Sequence, residues 1–210
     1  MPIEITPAGP GDVDAVARLI AEAFTSLAVA EWLVNDAAAR PQVLTDNFRI
    51  YVEHALAHGT IYTAAEQSGA AIWFRLDQGP VPPPADYDRR LAAACGAWTD
   101  SFQILDDLFE RHHPDQPHHY LAFLAVRRQR QGQGVGSALL HHHLDQVDAI
   151  GTSAYLEASS EQSRKLYLRH GFKDFGEPFY LPEGPPFWPM WRAEGRQTGH
   201  TRNATRGGQP

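Results

Sequence analysis

The sequence predicts a single α/β domain over residues 1–192, on three observations. The first is a strand–turn–helix unit: apolar Tyr120–Val126, a turn rich in Gly and Gln, then Val135, Leu139, Leu140, Leu144 and Val147 at helical spacing. The second is a pair of strand-like runs, 60–66 and 70–76, joined by Gln67-Ser68-Gly69 as in a hairpin. The third is size: 210 residues, 43% of them hydrophobic, suffice for one substantial core.

The remaining elements follow in order. Ile3-Glu4-Ile5 alternates like a short strand. After a turn-rich stretch, Asp12 is a suitable N-cap for a helix whose apolar stripe is Val13, Val16, Ala17, Leu19, Ile20 and Phe24. A second helical region covers about 27–34. A third follows Arg40-Pro41 and ends at Gly59. Beyond the hairpin, Gly79-Pro80-Val81-Pro82-Pro83-Pro84 breaks regular structure. Residues 85–111 then read as a long helical stretch, interrupted near Gly96 and closed by Pro114 and Pro117. Downstream of the glycine turn come a strand at 153–158, a helix from Ser160 stopped by Gly171, and two last strands at 173–180 and 187–192. The tail, 193–210, lacks apolar spacing and is expected to be disordered.

Composition narrows the partners. No apolar run approaches the ~20 residues that span a bilayer, and the N-terminus has no secretory pattern, so neither a membrane nor export is expected. One cysteine, Cys95, excludes an internal disulfide and fits a cytoplasmic location; its Ala-rich helical context suggests a packed residue. A net charge of −7 argues against nucleic acid as the main partner. Eleven histidines raise the question of a metal. His141, His142 and His143 are adjacent and diverge by ~100° on a helix, and no H-E-x-x-H or Cys cluster accompanies them, so no metal is expected.

The turn between residues 127 and 136 carries the chemistry. Glycines at 132, 134 and 136 let the backbone turn tightly at a helix N-terminus, where free N–H groups and the helix dipole favour an anion such as a phosphate. It is no P-loop, since no Gly-Lys-Ser/Thr follows, and its GxGxG spacing departs from the dinucleotide fingerprint GxGxxG. Arg127, Arg128 and Arg130 lie beside it, either near bound phosphates or simply solvated. The segment Gln131-x-x-Gly134-x-Gly136 after Leu124-Ala125-Val126 resembles the acetyl-CoA signature Q/R-x-x-G-x-G/A of the GCN5-related N-acetyltransferases (GNAT). Leu166-Tyr167-Leu168-Arg169-His170-Gly171-Phe172 is similar to a second segment of that superfamily, L-Y-x-x-x-G-F. Most of 110–192 further resembles puromycin N-acetyltransferase-like enzymes, with Ala70-Ala71-Ile72-Trp73 matching in position.

The resemblance implies a GNAT fold, a mixed and mostly antiparallel sheet of six or seven strands flanked by helices. It implies acetyl-CoA as cosubstrate. Backbone groups of Leu124, Ala125 and Val126 would pair with the pantetheine arm where two strands part, and the Val126 N–H would meet the oxyanion. Gln131, Gly132, Gln133, Gly134, Val135, Gly136 and Ser137 would hold the pyrophosphate. Ser163 stands where many relatives carry an asparagine that bonds the arm. Tyr167 would protonate the departing thiolate, a role its hydroxyl suits as a general acid. Tyr120 occupies the position of a glutamate that some relatives use as base, so the base is left among His119, Glu157, Glu31 and a water chain. Trp32, Phe48, Tyr51 and Tyr120 are candidates to line the acceptor pocket, though each is also what an amphipathic element buries.

The expected activity is transfer of acetyl to an amine of a small molecule, an antibiotic or metabolite, by direct attack in a ternary complex of a monomer or homodimer. A protein or peptide amine as acceptor, and a non-catalytic CoA-binding regulator, are the alternatives.

Overall fold

Eight strands form one sheet in the computed structural model, which describes residues 2–195. The chain runs β1 (Ile5–Pro7), α1 (Val13–Phe24), α2 (Ala28–Leu33), α3 (Arg40–His58), β2 (Gly59–Ala64), β3 (Gly69–Arg75), α4 (Tyr87–Cys95) and α5 (Thr99–His112). It continues as β4 (His119–Val126), α6 (Val135–Ile150), β5 (Ala154–Ala158), α7 (Glu161–Arg169), β6 (Lys173–Asp174), β7 (Phe179–Tyr180) and β8 (Pro186–Arg192). The sheet order is β1-β2-β3-β4-β5-β8-β6, with β7 on β8. Every pairing is antiparallel except β4 with β5. The mixed, mostly antiparallel sheet is as expected. Its eighth strand arises because 173–180 is not one strand: Gly176, at φ 81°, and Pro178 split it into two short ones.

Residues from α1–α5 pack on one face of the sheet, around Leu19, Ile20, Leu44, Leu91 and Phe102. Residues from α6 and α7 cover the other, around Leu139, Leu140, Leu144 and Tyr167. β3 lies between them and its six residues Gly69–Phe74 are all buried. Asp12 does not cap α1 with its side chain. Its carboxylate accepts the Gly9 N–H at 2.8 Å and so closes the short 3₁₀ turn before the helix. Cys95 is packed, as its context suggested: burial pushes its thiol up to about 12, and Sγ lies 3.9 Å from Asn47 Oδ1. The expected disordered tail lies, from residue 196 on, outside the described residues. Among those described, no helix is long and apolar enough to cross a membrane.

The strand pairing divides unevenly. β4 stays with β3 along its length, to Val126 opposite Gly69, and β5 stays with β8. Between β4 and β5 only His119–Ala154 and Tyr120–Tyr155 pair. The two halves of the sheet therefore part beyond Tyr120.

At the closed end of that junction a histidine is built into the core. His143 stacks on Trp73 with ring centroids 4.2 Å apart, and its Nε2 is hydrogen-bonded to His119 Nδ1 at 2.8 Å. Burial lowers its proton affinity to a pKa of about 3, against an ordinary 6.5. The unfolded chain takes up a proton below pH 6.5 and the folded chain does not until about pH 3. The stability this provides is complete above pH 6.5 and drains as pH falls, by up to ~1.4 kcal/mol per pH unit. His143→Gln is expected to flatten the acid limb of stability against pH, measured by urea unfolding between pH 7 and 4.

Candidate active site

The parting of β4 and β5 opens a cavity of about 960 Å³ that passes through the sheet from one helical layer to the other. Gly132, Gly134, Gly136 and Ser137, with Leu166 and Tyr167, line it on the α6–α7 side. Phe48, Tyr51, Phe102 and Asp106 line it on the α1–α5 side, and Tyr120, Leu124, Val126 and Glu157 border the gap itself.

A β-bulge aims the strand edge. β4 and β3 slip register between Ile72 and Trp73, which face Phe123 and Leu121, leaving Ala122 as the extra residue. His119 N–H donates to Ser153 on the β5 side, whereas Arg127 N–H, an even number of residues on, donates to Ser68 on the β3 side. Only the extra residue reconciles the two. It leaves the backbone groups of Leu124 and Val126 directed away from β3, into the gap. Side chains follow the same reversal: Tyr120, Ala122, Phe123 and Ala125 face the α1–α5 core, and Leu121, Leu124 and Val126 the α6–α7 core. Ala125 is thus the one of the three expected arm-binding residues that does not line the cavity.

The glycine turn adopts the conformation its residues allow. Gly132 and Gly134 have φ of 73° and 86°, the left-handed region that a side chain would strain, and Gly134 caps α6. At Gly136 an added Cβ would lie 3.3 Å from Leu166 Cδ2 and 3.6 Å from Val126 Cγ2, so this glycine keeps helix, strand and α7 close. The first N–H groups of α6, at Val135, Gly136 and Ser137, precede any carbonyl of the helix that could take them. Gln131 Nε2 donates to Val126 O at 3.1 Å, and Gln133 Nε2 to Gln129 O at 2.8 Å; Gln133 does not line the cavity. Of the three arginines, Arg127 is tied to Glu22 and to Gln67 O, while Arg130 lines the cavity with Glu66 3.6 Å away on its exposed side.

Tyr167 is brought to the gap by α7, which Ser160 caps by accepting the Ser163 N–H at 3.1 Å. Ser163 Oγ is 2.9 Å from both Ser160 O and Ser160 Oγ, so the cap occupies the hydroxyl. Tyr167 is 7% exposed, burial alone raises its pKa above the usual tyrosine value, and its hydroxyl has no hydrogen-bond partner among the described residues.

Glu157 projects from the part of β5 that has left β4 and pairs with β8 alone, with a side chain only 2% exposed. Tyr120 Oη donates to its Oε2 at 2.9 Å, and His113 Nδ1 lies 3.7 Å from its Oε1, which is buried and accepts no hydrogen bond. The other candidate bases are elsewhere. His119 is not on the cavity; it packs against His143 and Asp77 on the α6 side, and burial lowers its pKa. Glu31 pairs with Arg40 at 3.6 Å, away from the cavity. Among the aromatic candidates, Phe48, Tyr51 and Tyr120 line the cavity, and Trp32 instead donates from Nε1 to Pro182 O at 2.9 Å. Sequence reasoning missed Asp106, Asn47 and His113. Asp106 had a signal, since it sits in helical phase with Phe102, Leu105 and Phe109 as a charge within an apolar stripe. Among the described residues no group of three His, Cys, Asp or Glu side chains could hold a metal ion.

An opened strand edge, a helix start whose N–H groups are free for an anion and a buried hydroxyl on one cavity suit a ligand that is extended at one end and carries a phosphate at the other. The chain belongs to the acetyltransferase (GNAT) family, whose sequence model matches residues 44–172. As a member it is an acetyl-CoA-dependent N-acetyltransferase with the GNAT fold. It is similar to a Corynebacterium glutamicum acetyltransferase related to histone acetyltransferase HPA2, at 28% identity and a TM-score of 0.70, covering 95% of this chain and 100% of that one. Two more distant structures share the fold. One is the paiA N-acetyltransferase of Thermoplasma acidophilum in complex with coenzyme A, at 11% identity, TM-score 0.56 and coverage of 92% and 99%. The other is the Escherichia coli ribosomal-protein-S18-alanine N-acetyltransferase, at 16% identity, TM-score 0.55 and coverage of 95% and 97%.

The Tyr120–Glu157 bond makes a stability prediction. Tyr120→Phe removes the donor to a buried carboxylate and is expected to cost ~1–3 kcal/mol in urea unfolding. In a Glu157→Leu background the same change should cost markedly less, because no carboxylate is left unpaired.

Proposed function

We propose that residues 1–192 form one acetyltransferase domain that transfers acetyl from acetyl-CoA to an amine of a small molecule, by direct attack within a ternary complex. The observation that carries this reading is the convergence of Glu157, Tyr167 and the free edge of β4 on one cavity. The glycine turn suits a pyrophosphate through its exposed N–H groups, from Gln131 to Ser137, and Arg130 adds positive charge at that end. Leu124 and Val126 pair with the pantetheine arm as an added strand would. Acetyl-CoA supplies the activated acetyl group.

Glu157 accepts the proton that the amine loses as the new nitrogen–carbon bond forms. Its unpartnered Oε1 gives it a free lone pair for this, and Tyr120 and His113 hold the carboxylate in place. The backbone N–H near Val126 donates to the oxygen that becomes negative. Tyr167 gives its proton to the sulfur as the carbon–sulfur bond breaks. Burial keeps the hydroxyl un-ionised until the thiolate develops.

The small-molecule acceptor is supported by the cover over the cavity. Val81, Pro82 and Pro84 of the proline-rich linker and Phe102, Leu105, Asp106 and Phe109 of α5 line it on the acceptor side, an enclosure suited to a compact amine. The resemblance of 110–192 to puromycin N-acetyltransferase-like enzymes supports an antibiotic-like amine. The name of the C. glutamicum neighbour favours a protein amine instead, and a peptide acceptor is the second reading.

Tyr167→Phe is expected to lower kcat by ~10- to 100-fold with acetyl-CoA affinity unchanged in calorimetric titration, and Glu157→Gln to lower kcat/KM by ~100-fold or more. A mass-spectrometric screen of amines and peptides with acetyl-CoA tests the acceptor class: products from peptides alone would overturn the small-molecule reading.

A further inference from the structure

The acceptor end of the cavity holds two carboxyl groups without a permanent cation to match. Among the described residues no Lys or Arg pairs with Asp106 or Glu157, and the cavity's arginines, Arg130 and Arg169, belong to the ends of the glycine turn and α7. The pocket therefore carries negative charge where the acceptor sits.

At Asp106 the charge is mounted for recognition. The Tyr87 hydroxyl donates to Asp106 Oδ2 at 2.5 Å, the Tyr51 hydroxyl lies 3.2 Å from Oδ1, and the two hydroxyls are 2.6 Å apart. Each phenol has one hydrogen, so two hydrogens serve three contacts. What the cluster still offers is oxygen lone pairs around one negative charge, a set that an N–H-bearing cation completes and a neutral donor leaves charged. Burial raises the proton affinity of Asp106 against the donation from Tyr87 and Tyr51, and a cation beside the carboxylate would oppose that rise.

Between Asp106 and the gap the wall is aromatic. Phe48 and Phe123 meet edge to face at 5.2 Å, and Tyr51 meets Phe123 at 5.5 Å; Tyr87 backs Tyr51 at 6.1 Å without lining the cavity. Such rings hold an apolar or aromatic body and tolerate a cation over their faces. No catalytic step above uses Asp106, Tyr51 or Tyr87.

We infer that the acceptor is an apolar or aromatic amine with a second positive charge, its reacting nitrogen at Glu157 and its second ammonium held by Asp106 and Tyr51, with Tyr87 positioning the carboxylate from behind. This rests on the acetyl-transfer reading for the identity of the reacting amine. The reacting nitrogen loses one proton to Glu157 and gains the acetyl group; the second ammonium keeps its protons, and the product carries one acetyl.

The test uses matched pairs that differ by one charge: p-xylylenediamine against 4-methylbenzylamine, and 1,4-bis(2-aminoethyl)benzene against 4-ethylphenethylamine. Binding to the CoA-loaded protein is measured by calorimetry, where no turnover occurs. In at least one pair the diamine should bind at least tenfold tighter, and D106N should bring that pair to within twofold. Equal affinity within both pairs, absence of binding by all four amines, or a preference that survives D106N overturns the inference. Should D106N fail to fold by circular dichroism, the comparison on the unaltered protein decides alone. Acetyl transfer is scored separately with acetyl-CoA by mass spectrometry. A diamine that binds with the Asp106-dependent preference yet is never acetylated upholds cation recognition and overturns the acetyl-transfer reading. Acetylation of both members of each pair with equal kcat/KM does the reverse.

Discussion

The constraint on which the site depends is a pairing that stops. β4 and β5 share two residue pairs and then diverge, because each is held more firmly on its other side, β4 by β3 and β5 by β8. An unsatisfied sheet edge inside a protein is costly unless something takes its N–H and C=O groups. Here the bulge at Ala122 turns Leu124 and Val126 toward the opening, and Gln131 accounts for one carbonyl there. The remaining edge is a template for an extended chain to bind as a strand would. Position in the connection does the rest. The turn after β4 supplies the helix N-terminus, and the helix after β5 supplies Tyr167, so both reach the same gap from opposite sides.

The two ends of the cavity are built by different means. The end near α6 relies on backbone: left-handed glycines at 132 and 134, a glycine at 136 that permits close approach, and the first N–H groups of a sixteen-residue helix. The acceptor end relies on side chains, with Glu157 buried under Tyr120 and His113, and Asp106 under Tyr51 and Tyr87. Burying a carboxylate is unfavourable unless hydrogen bonds or a counter-charge compensate it. Both carboxylates are given phenolic donors and neither is given a lysine or arginine among the described residues. Neutral donors fix the oxygens in place while leaving the charge for a ligand to meet. The histidines follow the opposite rule. His119 and His143 are buried beside one another with proton affinities lowered by burial, and they act as packed, neutral rings.

This division explains what was legible in the sequence. The glycine turn, the strand before it and the helix after it were readable because backbone conformation writes itself locally: three glycines, an apolar run and a helical stripe lie within thirty residues. The hairpin at 67–69 was readable for the same reason. The strand expected at 173–180 breaks at Gly176 and Pro178, which interrupt pairing with β8. The acceptor end was far less readable. Asp106 belongs with Tyr51 and Tyr87 only after α3, α4 and α5 have packed, and the segment between residues 51 and 106 carries no motif that announces it. His119 and Glu157 looked equally eligible in sequence, and tertiary placement separated them: β4's alternation sends His119 to the α6 face, whereas Glu157 projects from the part of β5 that pairs with β8 alone.

A physical consequence follows for how such a site accommodates change. Glycines 132 and 134 cannot be replaced without backbone strain, and a side chain at Gly136 would press on Leu166, so the glycine-turn end is fixed largely by backbone geometry. Phe48 and Phe102 at the other end also belong to the core, whereas Tyr51 and Asp106, on α3 and α5, are only part-buried. Exchanging them alters the shape and charge offered to the amine and leaves the opened edge of β4 untouched. In the proposed reaction the sheet thus separates the two halves mechanically: one face and the gap would hold the activated group against backbone, and Tyr51 and Asp106 on the other face would meet the amine.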